Sequence, residues 1–278
     1  MLKTVNFFFM PRMVIIGAGR LAQALAGWAR LGGYELAAVV SRDPRRARAA
    51  ARRLHARQGL ALGQPLPPAE LYWLAISDDA LAGVARQLAR SHVNWRGRVV
   101  LHSSGLCAST VLQPLARRGA ATGSLHPLMS FAQGVRVQPQ GVLFAFEGSP
   151  AARRLARRLI RHWKGEWLEL SAAAKPAYHL AASLASPGLV VLAAAAQAAG
   201  LRRLSPPYRR KLRQGLMALL AQTARNLARP GSLPKEAWTG PLSRGDRRTL
   251  RAHRVAARKL GLADYYRAQL RLARRLLP

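Results

Sequence analysis

The residues best suited to move a proton fall in two short segments. Ser124-Leu125-His126-Pro127-Leu128 carries one histidine, and Tyr178 and His179 stand side by side at the head of a long apolar stretch. Histidine titrates near neutrality and a tyrosine hydroxyl can share its proton, so these residues suit general acid–base work at a carbonyl or imine. His179, Tyr178 and His126, in that order, are the catalytic candidates; each is also compatible with a hydrogen-bonded structural role. His55, His92, His162 and His253 lie in arginine-rich or surface contexts and receive no role. Arg244 and Asp246 share a tight Ser-Arg-Gly-Asp turn. A guanidinium can grip a substrate carboxylate with two hydrogen bonds. Asp246 can orient a histidine, or simply cap the helix that follows. Cys107 is the one cysteine, which excludes an internal disulfide framework and an all-cysteine zinc site. It reads as a small packed residue, and no metal site is expected.

Reducing a carbonyl or imine also needs a hydride donor, and a second motif suggests one. Gly17, Ala18, Gly19, Arg20, Leu21 and Ala22 fit G-x-G-x-x-G/A between a strand pattern and a helix pattern, the context that raises this motif above chance. Gly17 permits the tight turn, Gly19 a close approach of backbone to a pyrophosphate, and Ala22 close helix–strand packing. The helix N-terminus then offers free N–H groups to the phosphates. The second strand ends in Ser41-Arg42-Asp43 where an NAD site wants an acidic side chain for the ribose 2′-hydroxyl. A hydroxyl beside a guanidinium suits a 2′-phosphate, so the expected cofactor is NADP. Arg42 is equally one arginine among many, and Asp43 reads as a helix cap. Ser77, Ser103 and Ser104, at strand ends, complete the expected cofactor-side set.

These residues need a scaffold that brings strand ends together. Strand patterns at residues 12–17, 35–41, 71–77, 98–102, 120–125, 142–147 and 166–170 alternate with helix patterns at 21–31, 44–58, 79–90 and 151–163. Residues 59–68 read as a proline-rich loop. The alternation predicts βαβ units and a mainly parallel sheet. Ligands of such sheets lie beyond the carboxyl ends of the strands, where His102-Ser103-Ser104-Gly105 and His126 both fall. After about residue 172 only helix patterns remain, at 174–200, 207–229, 246–260 and 263–277, with a turn-rich loop at 230–245. The expected organisation is an α/β nucleotide-binding domain over 11–170 and an all-α domain over 171–278.

Charge sets the remaining limits. The formal net charge is +34, and 39 of the 45 basic residues are arginine. Arginines at 45, 46, 48, 52, 53 and 57, and again at 153, 154, 157, 158 and 161, fill one face of a helix while alanine, leucine and isoleucine fill the other. These are solvated outer faces that attract nucleic acid without reading sequence. Few aromatics interleave with them, so a single-strand stacking platform is not indicated. Residues 180–201 carry no charge and have the length of a membrane span, but their few strong inserters supply only ~2–4 kcal/mol. The expectation is a helix buried on all sides within the helical domain, in a cytoplasmic protein with no membrane association. The apolar run near the N-terminus is too short for a signal-peptide core.

Five segments together resemble a known family. They are the loop from Gly17 to Ala22, His102-Ser103-Ser104-Gly105, the segment around His126, Tyr178-His179-Leu180-Ala181-Ala182, and Thr239-Gly240-Pro241-Leu242-Ser243-Arg244-Gly245-Asp246. In this order, across nearly the whole chain, they resemble bacterial Rossmann-like proteins that carry the domain of unknown function DUF2520. That family is described as NADP-dependent oxidoreductases, and its design is similar to that of pyrroline-5-carboxylate and ketopantoate reductases and β-hydroxyacid dehydrogenases. The resemblance implies a helical second domain that supplies substrate groups and dimer contacts. The family pattern runs to a Ser-Asn pair after Tyr-His, but here Ser186 is followed by Pro187. Ser186 therefore stands as a substrate-binding candidate at a departure from the family. The expected protein is a homodimeric NADP-dependent oxidoreductase acting on a C=O or C=N group of a small carboxylated molecule. Two other classes stay open: a non-catalytic NADP-binding or regulatory protein, and a basic nucleic-acid-associated protein.

Overall fold

The computed structural model describes residues 10–201, 204–231 and 233–277. The apolar N-terminal run lies outside these residues. The chain separates into two compact units, the first ending at Ala182 and the second spanning Ser183–Pro278. The first unit runs past the expected break at residue 170, because the opening turns of the first helix of the all-α half belong with the sheet.

The first unit is one eight-stranded sheet. Its strands are β1 (Arg12–Ile16), β2 (Glu35–Ser41), β3 (Gln58–Ala61), β4 (Leu71–Leu74), β5 (Val99–His102), β6 (Ala121–Pro127), β7 (Leu143–Gly148) and β8 (Glu166–Glu169), in the order β3-β2-β1-β4-β5-β6-β7-β8. Every neighbouring pair is parallel except β6 and β7. Strand order reverses beside β1, so a crevice opens at the carboxyl ends of β1 and β4, as doubly wound sheets require.

Continuous apolar runs such as MVII and LYWL are buried on both faces, which needs helices on both sides. On one face, α1 (Arg20–Leu31) and α5 (Pro150–Trp163) pack over Met13, Ile15, Trp73, Phe144 and Phe146. Trp28 and Trp163 interlock there, with Trp163 Nε1 donating to the carbonyl of Trp28 at 2.7 Å. On the other face, α3 (Asp78–Ala89) and the short α4 (Gln113–Ala116) pack over Val14, Ile16, Tyr72, Leu74 and Val100.

Helix α2 (Pro44–Leu54) starts where expected. Asp43 caps it, its carboxylate accepting from the backbone N–H of Arg45 and Arg46. It stops short of residue 58 because His55 turns left-handed at φ 52° and closes the last carbonyls. That frees Gln58–Ala61 to become β3, in place of the expected loop.

The second unit contains α7 (Pro187–Leu201), α8 (Pro206–Leu227), α9 (Arg247–Lys259) and α10 (Ala263–Leu276). The expected helix over 174–200 is two helices. The first, α6 (Lys175–Ala185), ends before Ser186, and Pro187 restarts the chain as the first residue of α7. Proline removes a backbone donor but suits a first helical position.

The expectation that residues 180–201 are buried on all sides is overturned. Neither α7 nor α8 has a buried residue, and Leu184, Val190 and Val191 are 67%, 68% and 57% exposed. Apolarity told correctly that this surface wants cover, but the chain itself does not supply it. By length and composition, the stretch Ala172–Leu201 would also suffice to cross a membrane.

Candidate active site

The phosphate loop forms as the motif demands. Gly17 follows β1 with φ +128°, and a Cβ there would collide with the carbonyl of Ala75 at the end of β4, so the turn accepts only glycine. Gly19 is the N-cap of α1 and brings no capping side chain, which leaves the first-turn N–H groups free for an anion. Arg20 is exposed beside it, Leu21 half-buried, and Ala22 fully buried against the sheet.

A cavity of about 290 Å³ opens over this loop, lined among others by Gly17, Ala18, Gly19, Ser41, Arg42 and Ser77. Leu62 and Val84 add apolar wall, suited to a planar base. Arg42 is exposed and forms no ion pair or hydrogen bond with the described residues. Ser77 is the N-cap of α3, yet its hydroxyl makes no capping bond. The Ser41 hydroxyl accepts from the N–H of Asp43 at 3.3 Å and can still donate. A cradle of bare N–H groups, a free guanidinium and an apolar slot fits a phosphorylated dinucleotide.

Ser103 and Ser104 point elsewhere. The Ser103 hydroxyl accepts from Trp73 Nε1 at 2.7 Å inside the sheet, and the Ser104 hydroxyl accepts from the N–H groups of Leu106 and Cys107. Both hydroxyls brace the loop after β5, and neither lines the cavity over the phosphate loop.

The proton-handling residues converge beyond β5 and β6. These strands pair in parallel with His102 opposite Ser124, so their carboxyl-end loops lie side by side. The first turns of α6 bring Lys175, Tyr178 and His179 to the same place. His126 Nδ1 lies 2.7 Å from the Tyr178 hydroxyl, with the two rings edge to face. The His126 and His179 ring centroids are 6.1 Å apart. His179 Nδ1 is buried and has no hydrogen-bond partner among the described residues. All three catalytic candidates therefore meet in one cluster.

Burial governs the electrostatics of this cluster. His126 is pushed down to about 4, first by desolvation and then by its neighbours His179 and Lys175, so it is neutral at pH 7. Tyr178 is pushed up to about 12 by desolvation and keeps its proton. His102 is pushed to about 3 by desolvation and by Lys175. Its Nδ1 accepts from the N–H of Ser104, and Nε2 lies 3.3 Å from the carbonyl of Ala108, which makes it a structural neutral imidazole.

Lys175 is the residue that sequence reasoning missed. It is 1% exposed, and its ammonium donates to Ser124 Oγ at 2.8 Å and to the carbonyl of Ser104 at 3.2 Å. Ser124 Oγ donates to the same carbonyl at 3.0 Å. Lys175 thus fastens α6 to the ends of β5 and β6. Burial lowers its pKa, opposed chiefly by the carboxylate of Glu147. A signal existed: lysine is rare in this chain, and Lys175 stands three and four residues before Tyr178 and His179, on one helical face.

The substrate-side candidates belong to the second unit. Ser186 is the single-residue break between α6 and α7. Arg244 is exposed in its turn. Asp246 caps α9, accepting from the N–H and hydroxyl of Thr249, and these bonds hold its carboxyl below the usual range. The capping alternative is therefore the one realised.

A mainly parallel doubly wound sheet with a glycine turn at its switch point defines the class of dinucleotide-binding folds. The sequence models narrow it: a Rossmann-like domain matches residues 10–127 and the domain of unknown function DUF2520 matches residues 142–272. The chain is a Rossmann-like protein with a C-terminal DUF2520 domain.

Three solved structures share the fold. The candidate NADP oxidoreductase BF3122 from Bacteroides fragilis has a TM-score of 0.76 and 23% identity, over 94% of this chain and 96% of that one. Protein TM1727 from Thermotoga maritima has a TM-score of 0.70 and 23% identity, over 95% and 98%. A reductive aminase from Aspergillus terreus, in complex with NADPH and ethyl-5-oxohexanoate, has a TM-score of 0.61 and 17% identity, over 96% and 94%. At such identities the likeness carries the fold. No curated protein matches the sequence.

Proposed function

We propose that this protein is an NADP-dependent oxidoreductase that reduces, or in reverse forms, a C=O or C=N group of a small carboxylated molecule. The observation that carries the reading is the pairing, within one unit, of a phosphate-loop cavity flanked by a free arginine with a neutral His–Tyr pair at neighbouring strand ends. Two of the three fold neighbours above are described by their names as an NADP oxidoreductase or as an NADPH-bound reductive aminase, which supports the class and not the substrate.

In this reading the glycine loop at residues 17–22 holds the pyrophosphate, and Ser41 and Arg42 hold a 2′-phosphate. NADPH bound there would supply the hydride. Tyr178 keeps its proton at pH 7 and donates it to the oxygen or nitrogen of the substrate. His126, neutral and 2.7 Å away, stabilises the phenolate that forms. Lys175 fixes the turn that carries Tyr178, and its charge disfavours a second cation in the cluster.

A panel of keto acids and cyclic imines, followed by NADPH absorbance, tests the reading. Turnover of one member at a rate abolished in Tyr178→Phe is expected. NADPH binding with no turnover across the panel would instead make this a non-catalytic NADP-binding protein.

The assembly we propose is a cytoplasmic homodimer paired through α7 and α8. A chain of net charge +34 repels its own copies, so self-association needs a charge-free face, and α7 has no charged residue. The second unit buries only Leu250, Ala257 and Leu270 among its described apolar residues, too little for an independent core. A second copy is the occupant that matches an apolar, neutral face on an otherwise cationic protein.

A further inference from the structure

The two histidines of the site approach each other over a glycine. An ideal Cβ built on Gly105 would stand 2.7 Å from His179 Nδ1 and 3.1 Å from His126 Nε2. Both ring nitrogens therefore face the open side of one residue, where any other amino acid would put a Cβ. His126 uses its other nitrogen on Tyr178, at 2.7 Å. His179 Nδ1 is buried and unpartnered among the described residues, and leaving such a group unmet is destabilising. The chain tolerates that cost at one point, beside the hydroxyl that the proposed chemistry uses.

We propose that Tyr178, His126 and His179 form a proton relay that connects the reacting atom of the substrate to solvent, and that Gly105 keeps the gap between the two rings open. The inference rests on the oxidoreductase reading for its purpose, but not for its geometry.

In the reducing direction a bound nicotinamide would supply hydride to the substrate carbon, and the π pair of the C=O or C=N bond would move to the heteroatom. Tyr178 gives its phenolic proton to that heteroatom. His126 passes its Nδ1 proton to the tyrosine oxygen and takes one at Nε2 from His179 Nδ1 through one bridging water. His179, half-buried, recovers its proton at Nε2 from solvent. Substrate is reduced, nicotinamide is oxidised, and one proton is drawn from water. Oxidation runs the same chain backwards. A neutral imidazole has one donor and one acceptor nitrogen, so His126 can do this only while uncharged. Burial first, and then the neighbouring His179 and Lys175, hold its pKa down and keep it so.

Nitrogen NMR of 15N-histidine-labelled protein, without substrate, tests the chain. Tyr178→Phe is expected to move the His126 Nδ1 resonance and leave Nε2 largely in place. His179→Ala is expected to move His126 Nε2 and leave Nδ1. Gly105→Ala is expected to act like His179→Ala, by wedging the rings apart, and should lower turnover of any panel substrate at least 10-fold with NADPH affinity unchanged. A His126 Nε2 resonance indifferent to both His179→Ala and Gly105→Ala overturns the relay. His179→Ala leaves the glycine contact intact, so the test survives if Gly105→Ala fails to fold. Failure of NADPH to bind, with the resonance pattern as expected, would overturn the oxidoreductase reading and leave the hydrogen-bonded chain standing.

Discussion

Tyr178 and His179 lie on α6, whereas the phosphate-loop cavity is built from β1, β2, β4 and α3. Their removal should therefore separate chemistry from cofactor binding. Tyr178→Phe and His179→Ala are expected to lower turnover by about 10²–10⁴-fold, the usual worth of a positioned acid, while the NADPH dissociation constant changes little. Stopped-flow turnover with equilibrium titration checks this, and wild-type rates in both variants would remove them from the mechanism. The same residues set a pH dependence. His102 and His126 fall to about 3 and about 4 in the fold, from about 6.5 when unfolded. Folding thus excludes protons, and the stability they contribute is complete above pH 6.5 and lost as pH falls towards 4. Near pH 5 this pair should take up about two protons from solvent on unfolding. Denaturation midpoints measured between pH 7 and 4.5 should fall accordingly, and a flat profile would contradict the burial of both rings.

At the scale of elements, α7 presents Leu189, Val190 and Val191 at 42%, 68% and 57% exposure on a helix without a charge. Replacing Val190 and Val191 by aspartate should yield a folded monomer if a second copy covers this face. Sedimentation at micromolar concentration decides it. A wild-type monomer would count against the dimer, and co-sedimentation with anionic vesicles that persists in high salt would favour a membrane as the occupant. The same helix shows where sequence reading stops. The glycine loop, the alternation of strands and helices, the Asp43 cap and the meeting of His126 with Tyr178 were legible, because each is a local pattern or follows from parallel-strand topology. Burial was not. An apolar run states that a face wants cover but not which molecule provides it. Strand β3 was hidden because Gln58 and Gly59 carry no alternation and Arg57 continued a helical arginine stripe. Lys175 was hidden because lysine ordinarily marks surface, and only the fold shows its ammonium held by Ser124 and Ser104. The hydroxyls of Ser103 and Ser104 looked free for a ligand until Trp73 and the turn after β5 were seen to use them.

The whole molecule is a cation with two halves of different character. The arginines of α2, α5, α9 and α10 lie on outer faces: their apolar partners Ala47, Ala50, Ala156, Leu159, Ala257 and Leu270 are the buried ones. Such a surface attracts polyanions without reading sequence. Binding to a short RNA is expected at low salt, indifferent to scrambling, with affinity falling steeply, by orders of magnitude, between 50 and about 200 mM salt. Selectivity for one oligonucleotide at physiological salt would show a nucleic-acid function.

Cofactor choice is where the charge becomes specific. Among the arginines of the described residues, Arg42 is the one set beside Ser41 on the rim of the phosphate-loop cavity. A charge-assisted hydrogen bond to a phosphate is worth about 1.5–3 kcal/mol, or about 10- to 150-fold in affinity. Parallel titration of the wild type and Arg42→Ala with NADPH and NADH is the most direct test of the central claim. A preference for NADPH of about 10- to 150-fold is expected, which Arg42→Ala largely erases while NADH binding stays nearly constant. Equal affinities in the wild type, a preference for NADH, or no binding of either would contradict it.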